Sequence, residues 1–140
     1  MKVAFSGSRE LTNPIGVALV HKLAKELDSA LRKEANSVWE HWEGITEVLH
    51  GDGRGFDQLV NDWAHIVGLP VKKFPANWEK YGVKAGPMRN EKMIKEAQIL
   101  IAVPYGAGKG TRGTIRLAQK KGGMFLLVHE VAMINNGLAV

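Results

Sequence analysis

The chain contains no cysteine. Structural disulfides and thiolate metal sites are thereby excluded. No apolar run approaches the roughly 18 residues of a membrane-spanning helix. The opening Met1-Lys2-Val3-Ala4-Phe5-Ser6 is too short in its apolar stretch for a secretory signal. The expectation is a soluble protein of the cytoplasm with no membrane partner. The histidines, His21, His41, His50, His65 and His129, are scattered without metal-ligand spacing, so no metal site is expected. No internal repeat, linker or low-complexity segment divides the 140 residues, which predicts one domain over 1–140. Acidic residues are the scarcer charge: 14 Asp and Glu against 19 Lys and Arg leave a formal net charge of +5. Such a balance favours anionic partners, whether phosphates, nucleotides or nucleic acid, and is also found in proteins with no such role.

Glycine, by contrast, is plentiful, and several glycines fall in three turns that end apolar segments. These are Ser6-Gly7-Ser8-Arg9, Gly51-Asp52-Gly53-Arg54-Gly55 and Gly106-Ala107-Gly108-Lys109-Gly110-Thr111. Each is followed by a helix-like pattern. Glycine lets a backbone approach a ligand closely, and a helix start offers unpaired N–H groups with a partial positive charge.

The segments between the turns alternate in period. Val3-Ala4-Phe5 predicts a buried strand. Asn13-Pro14 reads as a helix start, with Asn13 as cap and Pro14 in the first helical position. Val17, Val20, Leu23, Leu27 and Leu31 recur at spacings of three and four and predict one apolar face, in a helix ending near Ala35-Asn36. Residues 36–44, with Trp39 and Trp42, carry no readable pattern. Ile45 to His50 predicts a second strand. Phe56 to Val67 predicts a helix with Phe56, Leu59, Val60, Trp63 and Val67 inward and Gly68 as its stop. Val71 to Pro75 predicts an edge strand blunted by lysines and proline. A loop with Trp78 and Tyr81 follows, and Pro87 opens a short helix through Glu96. Ile99 to Val103 is apolar at every position, as an interior parallel strand is. A helix from Thr111 to Lys121, a Gly122-Gly123 turn and a strand from Met124 to Val128 complete the pattern. The apolar tail from Val131 to Val140 is expected to pack on the core or to pair in a homodimer.

This alternation predicts an α/β fold, a doubly wound, mainly parallel five-stranded sheet with helices on both faces. Ligands of such sheets bind beyond the carboxyl ends of the strands, where strand order reverses. All three glycine turns fall on that rim. In the first, Ser6, Gly7 and Ser8 would wrap a phosphate and Arg9 would clamp it, or Arg9 is an exposed charge on a plain turn. No G-x-G-x-x-G follows the first strand, so this is not a dinucleotide fingerprint. In the second, Gly51, Gly53 and Gly55 imply unusual dihedrals or close approach, and Asp52 and Arg54 would contact ribose or phosphate. Asp57 caps amides of the following helix or faces the ligand. His50 ends its strand or touches the ligand. Arg89 and Asn90, at a predicted helix start, are further ligand candidates, with Met93 and Ile94 turned to the core. In the third turn Gly106, Gly108, Lys109, Gly110 and Thr111 form an anion-binding helix start. Its ending resembles a nucleoside-monophosphate-kinase loop, but Val103 stands where the first glycine of that pattern belongs. Trp78, with Tyr81, stacks on a base or covers the sheet edge. The candidates for catalysis are Arg89, Asp52, Asp57 and Glu79.

Taken together these segments resemble the SLOG superfamily, in its YspA-like branch. The elements are Ala4-Phe5-Ser6-Gly7-Ser8-Arg9, His50 to Asp57, Trp63-Ala64, Ala85 to Met93 and the Gly106-to-Thr111 loop. The resemblance implies a Rossmann-like fold and a nucleotide-like ligand, with no cofactor required. Relatives include the LOG phosphoribohydrolases and the DNA-processing protein DprA. LOG proteins carry an Arg-Lys-x-x-Met element with a catalytic arginine; here Arg89 and Met93 match and Asn90 replaces the lysine. They also carry P-G-G-x-G-T-x-x-E with a catalytic glutamate; Gly110 and Thr111 match, and Thr114 stands at the glutamate. Threonine cannot supply the carboxylate that cleavage of an N-glycosidic bond would use. The expectation is a nucleotide-binding sensor or carrier. The alternatives are a nucleotide N-glycosidase and a single-stranded DNA-binding module.

Overall fold

Val3, Ala4 and Phe5 all exclude solvent, yet they face two different cores, because successive strand residues point to opposite sides of a sheet. Val3 and Phe5 pack with Val48, Ile99, Ile101 and Val103 in one core, whereas Ala4 packs with Leu49, Leu100 and Ala102 in the other. A sheet apolar on both faces requires helices on both.

The computed structural model describes residues 1–12, 16–33 and 42–132, and the backbone of 134–135 and 138–139. Its elements are β1 (Lys2–Gly7), α1 (Gly16–Arg32), β2 (Glu47–His50), α2 (Phe56–Val67), β3 (Val71–Lys73), α3 (Trp78–Tyr81), α4 (Ala85–Glu96), β4 (Ile99–Val103), α5 (Lys109–Lys121), β5 (Phe125–Val128), β6 (Ile134–Asn135) and β7 (Leu138–Ala139). Strands β1 to β5 form one sheet in the order β3-β2-β1-β4-β5, and every pairing in it is parallel. This is the Rossmann-like doubly wound arrangement the alternation predicts, and strand order reverses between β1 and β4.

Helices α1 and α2 cover one face. Val20, Leu23, Leu27 and Leu31 of α1 and Phe56, Leu59, Val60 and Trp63 of α2 are buried there. Val67, expected inward, is exposed, because it borders an open cavity that it shares with His21, Trp63 and Leu69. Gly68 caps that helix in the left-handed conformation, as its position suggests. Met93, Ile94 and Ala118, from α4 and α5, fill the other core. Lys121 ties these two helices together: its ammonium donates to the carbonyls of Ile94, Lys95 and Ala97 at the end of α4.

Several boundaries differ from expectation. The segment around Trp78 is not a loop but the short helix α3, started by Asn77, whose side chain accepts from the Lys80 N–H at 3.1 Å. A 3-10 turn, Gly82–Lys84, leads from it directly into α4, so Pro87 is the third residue of that helix and not its opening. Strand β3 stops at Lys73 and β5 begins at Phe125. The proposed helix start at Asn13-Pro14, its end at Ala35-Asn36, and Trp39 lie outside the described residues. Trp42 is buried, and its indole donates to Asp28 at 2.8 Å. At the start of the tail Val131 is buried and bridges to Tyr105, and β6 and β7 pair antiparallel. Among the described residues no helix is long and apolar enough to cross a membrane.

Candidate functional site

Because β1, β2 and β4 run parallel, the turns that follow them emerge on one rim, with Gly7 directly opposite Val103 across the reversal point. The first two turns dock on each other. The Phe56 N–H, at the start of α2, donates to the Ser8 carbonyl at 3.1 Å. Gly55 sits at φ 68°, ψ −118°, and a Cβ there would overlap the Arg9 main chain. A Cβ on Gly7 would lie 2.5 Å from the Phe56 ring. Part of the glycine content of these turns therefore serves packing of the protein on itself.

The second turn is also closed internally. Asp52 is the described non-glycine residue at positive φ (57°), held there by donation from its N–H to His50 Nδ1 at 2.9 Å. That bond puts the imidazole proton on Nε2, which faces Asn61 Oδ1 at 3.0 Å. His50 is buried and pins the turn; it lines neither cavity described below. Gly53 N–H donates to Asp57 Oδ2 at 2.9 Å. From α4, the Arg89 guanidinium donates to the carbonyl of Gly51 and, at 3.4 Å, to that of Phe74, while its buried Nε has no partner among the described residues.

The third turn is arranged differently. Gly108 caps α5 in the left-handed conformation, and the Arg112 N–H donates to the Gly108 carbonyl at 2.9 Å. The amides of Lys109, Gly110 and Thr111 precede it and have no intrahelical acceptor. Arg112 grips the loop from below, donating from Nε and Nη2 to the Gly106 carbonyl at 2.9 and 2.6 Å and pairing with Glu130 at 2.6 Å. Thr111 is buried against the first turn, its hydroxyl 3.5 Å from that of Ser6.

Two adjoining cavities result. A recess of about 70 Å³ is lined by Ser6, Gly7, Gly51, Gly53, Arg54 and Asp57, and by Gly110 and Thr111 from α5. A larger cleft of about 860 Å³ opens beside it; Trp78, Lys109, Arg116 and Lys120 line its walls. Arg9, Arg89, Asn90 and Gly110 border both. The Arg9 guanidinium lies 5.9 Å from the centroid of the half-exposed Trp78 ring.

Charge in the recess is set by burial. Desolvation pushes the half-buried Asp57 carboxyl above its ordinary value, against the pull of the Gly53 hydrogen bond, His50 and Arg89. Desolvation, and then Arg9, likewise lowers Arg89, opposed by Asp57, but a guanidinium stays charged. Asp57 is therefore the carboxylate suited to holding a proton in the recess.

The other sequence candidates have different places. Ser8, Gly55, Gly106 and Gly108 shape the turns and line neither cavity. The Asp52 carboxylate points outward, 3.8 Å from Lys73 Nζ and 3.4 Å from Gln58 Nε2. Glu79 is exposed on α3 and borders neither cavity. Thr114 is buried, with its hydroxyl donating to the Gly110 carbonyl at 3.0 Å, so no carboxylate stands at that position. Among the described residues no group of three or more His, Asp or Glu could hold a metal ion. Sequence reasoning missed Arg112 as the brace of the third turn, and Lys84, Arg116 and Lys120 as cleft residues. The signal for the last two was present: Lys109, Gly113, Arg116 and Lys120 recur at spacings of three and four along α5.

Comparison with known proteins bears on this rim. A sequence model of the family described as "YspA, cpYpsA-related SLOG family" matches residues 1–81. The chain is 39% identical over 83 residues to the Gene 61 protein of Mycobacterium phage D29, a match covering 54% of this chain and 65% of that protein. No solved structure matches the chain significantly.

Proposed function

The chain belongs to the YspA, cpYpsA-related SLOG family, and on that footing we propose that it binds a phosphate-bearing nucleotide or nucleotide derivative at the carboxyl rim of its sheet, as a sensor or carrier. The observation that carries this reading is the meeting of Gly110 and Thr111, from the first turn of α5, with Arg9 and Arg89 at one recess, with Lys109 on the wall of the adjoining cleft. Lys109, Gly110 and Thr111 would donate N–H groups to phosphate at the positive end of the helix dipole. Arg9 and Arg89 would neutralise its charge. Of the three turns, the third is the principal cradle: its first-turn amides have no intrahelical acceptor, whereas the amides of Glu10, Leu11, Asp52, Gly53 and Phe56 in and beside the first two are taken up within the protein. Trp78 would stack on the base.

The test is calorimetry with nucleoside 5′-monophosphates and with Arg9→Gln. Arg9 is exposed, so the variant should fold as the parent does. Loss of a charge-assisted bond should weaken binding by roughly tenfold or more. Equal affinity would remove Arg9 from the site, and no binding across a nucleotide panel would refute the reading.

One observation favours a second reading, cleavage of the N-glycosidic bond: Asp57 lines the recess with a carboxyl biased toward its protonated form. It would act as general acid in place of the glutamate replaced by Thr114. Release of free base from a nucleoside monophosphate, abolished in Asp57→Asn, would establish it; absence of turnover across the panel would eliminate it.

A further inference from the structure

The cleft beside the recess is larger than one phosphate requires. At about 860 Å³ it lies toward the upper end of the ~300–1,000 Å³ range of small-molecule sites. Its charge is one-sided. Arg9, Lys84, Lys109, Arg116 and Lys120 line it together with Arg89, against the single carboxylate of Glu91. That carboxylate lies 3.7 Å from Lys95, which is not a cleft residue. Among the described residues, none of Arg9, Lys84, Lys109, Arg116 and Lys120 has a carboxylate partner. Arg112 provides the contrast: it belongs to the same helix, lies outside the cleft and is paired with Glu130. Cations gathered round one concavity repel each other, and an incoming anion relieves that repulsion.

These charges extend along α5 beyond its first turn, where a single phosphate would sit. With a rise of about 1.5 Å per residue, the Cα atoms of Arg116 and Lys120 lie about 9 and 15 Å along the axis from that of Gly110, and the Arg116 guanidinium leans back to Gly113, so that Arg116 and Lys120 form a stripe leading away from the first turn. A phosphate seated on the first-turn amides cannot also occupy the far end of that stripe. Between the two ends the cleft presents apolar surface from Met88, Leu117 and Trp78, suited to a sugar and base. Lys84, Lys109, Arg116 and Lys120 all lie beyond the segment matched by the family model, residues 1–81.

We infer that the ligand carries a second phosphate, separated from the first by at least one sugar, and that Arg116 and Lys120 hold it at the far end of the cleft. The inference rests on the reading of the recess as a nucleotide-phosphate site. The chemistry fits a nucleoside 3′,5′-bisphosphate and equally the 5′ end of a short single-stranded oligonucleotide.

The experiment compares three probes by calorimetry, each in all four bases: a nucleoside 5′-monophosphate, its 3′,5′-bisphosphate and a 5′-phosphorylated dinucleotide. The intact chain and an Arg116→Gln/Lys120→Gln variant are titrated in parallel. Both positions are exposed, and circular dichroism verifies the fold. In the parent, a doubly phosphorylated probe should bind at least roughly tenfold more tightly than the monophosphate. Its salt slope should be steeper by about 0.7. The variant should lose that advantage. A bisphosphate that outbinds the dinucleotide identifies a free small molecule; the reverse identifies an oligonucleotide end. If the monophosphate binds and neither doubly phosphorylated probe gains over it, the second subsite is refuted while the recess stands. The same holds if the gain survives in the variant. If no probe binds, the reading of the recess itself falls, and this inference falls with it.

Discussion

Replacing Gly55 by alanine tests whether the first two turns form one interlocked unit. Gly55 lies at φ 68°, ψ −118°, a region that residues with a Cβ rarely enter. The strain of holding alanine there costs about 1–3 kcal/mol. The added methyl would also overlap the Arg9 main chain. A backbone obstacle cannot be relieved by a rotamer change, and overpacking of this kind costs a further ~1–3 kcal/mol. The expected loss is therefore about 2–6 kcal/mol, a large share of the 5–15 kcal/mol that stabilises a typical domain. Urea unfolding followed by tryptophan fluorescence reads this as a lower midpoint at unchanged slope. Gly110→Ala is the control. Its Cβ meets nothing within 4 Å, and its backbone is helical, so alanine should be neutral or stabilise by up to about 1 kcal/mol. A loss below about 1 kcal/mol for Gly55→Ala would refute the interlocking of the turns. So would equal behaviour of the two variants.

Other expectations follow from the same rim. Asp57→Asn should raise the melting temperature at neutral pH. The folded-state pKa of Asp57 lies above its ordinary 3.8, so the native state binds the extra proton and stability falls as pH rises from that value upward. The gain should shrink as the pH is lowered toward 3.8 and below; a gain constant from pH 7 to pH 3 would contradict the burial argument. Thr114→Glu should not restore a LOG-like site. It would place an unpaired carboxylate at a fully buried position, at a cost of about 3–5 kcal/mol. A stably folded, active variant would overturn the account of that position. Arg112→Ala should loosen the Gly106 turn, raising hydrogen-exchange rates around Gly106 to Gly108 and leaving the α4 amides unchanged; unchanged exchange at the loop would show that Arg112 is no brace.

The sheet and its helices were legible because parallel strands buried on both faces read as unbroken apolar runs and amphipathic helices do not. Ile99 to Val103 and the Leu23, Leu27 and Leu31 series are of this kind. Helix α3 was not read because four residues carry no periodicity, and its one signal was Asn77 as a cap. Pro87 does not mark the start of α4, because proline is tolerated within a first turn and here stands third in the helix. The glycine turns were found, but the sequence could not say what each glycine approaches. At Gly7 and Gly55 it is the protein itself, through Phe56 and Arg9. Asp52 and Asp57 look alike in the sequence. Only the left-handed backbone at Asp52 turns its carboxylate away to Lys73 and leaves Asp57 at the recess.

The central claim is that phosphate is held chiefly by the start of α5. An amide-resolved NMR titration of the 15N-labelled chain with a nucleoside 5′-monophosphate tests it most directly. The predicted result is that the largest shifts fall on the N–H groups of Lys109, Gly110 and Thr111, with Arg9 next. Saturable shifts centred on any other part of the chain, with those three amides unmoved, would contradict it.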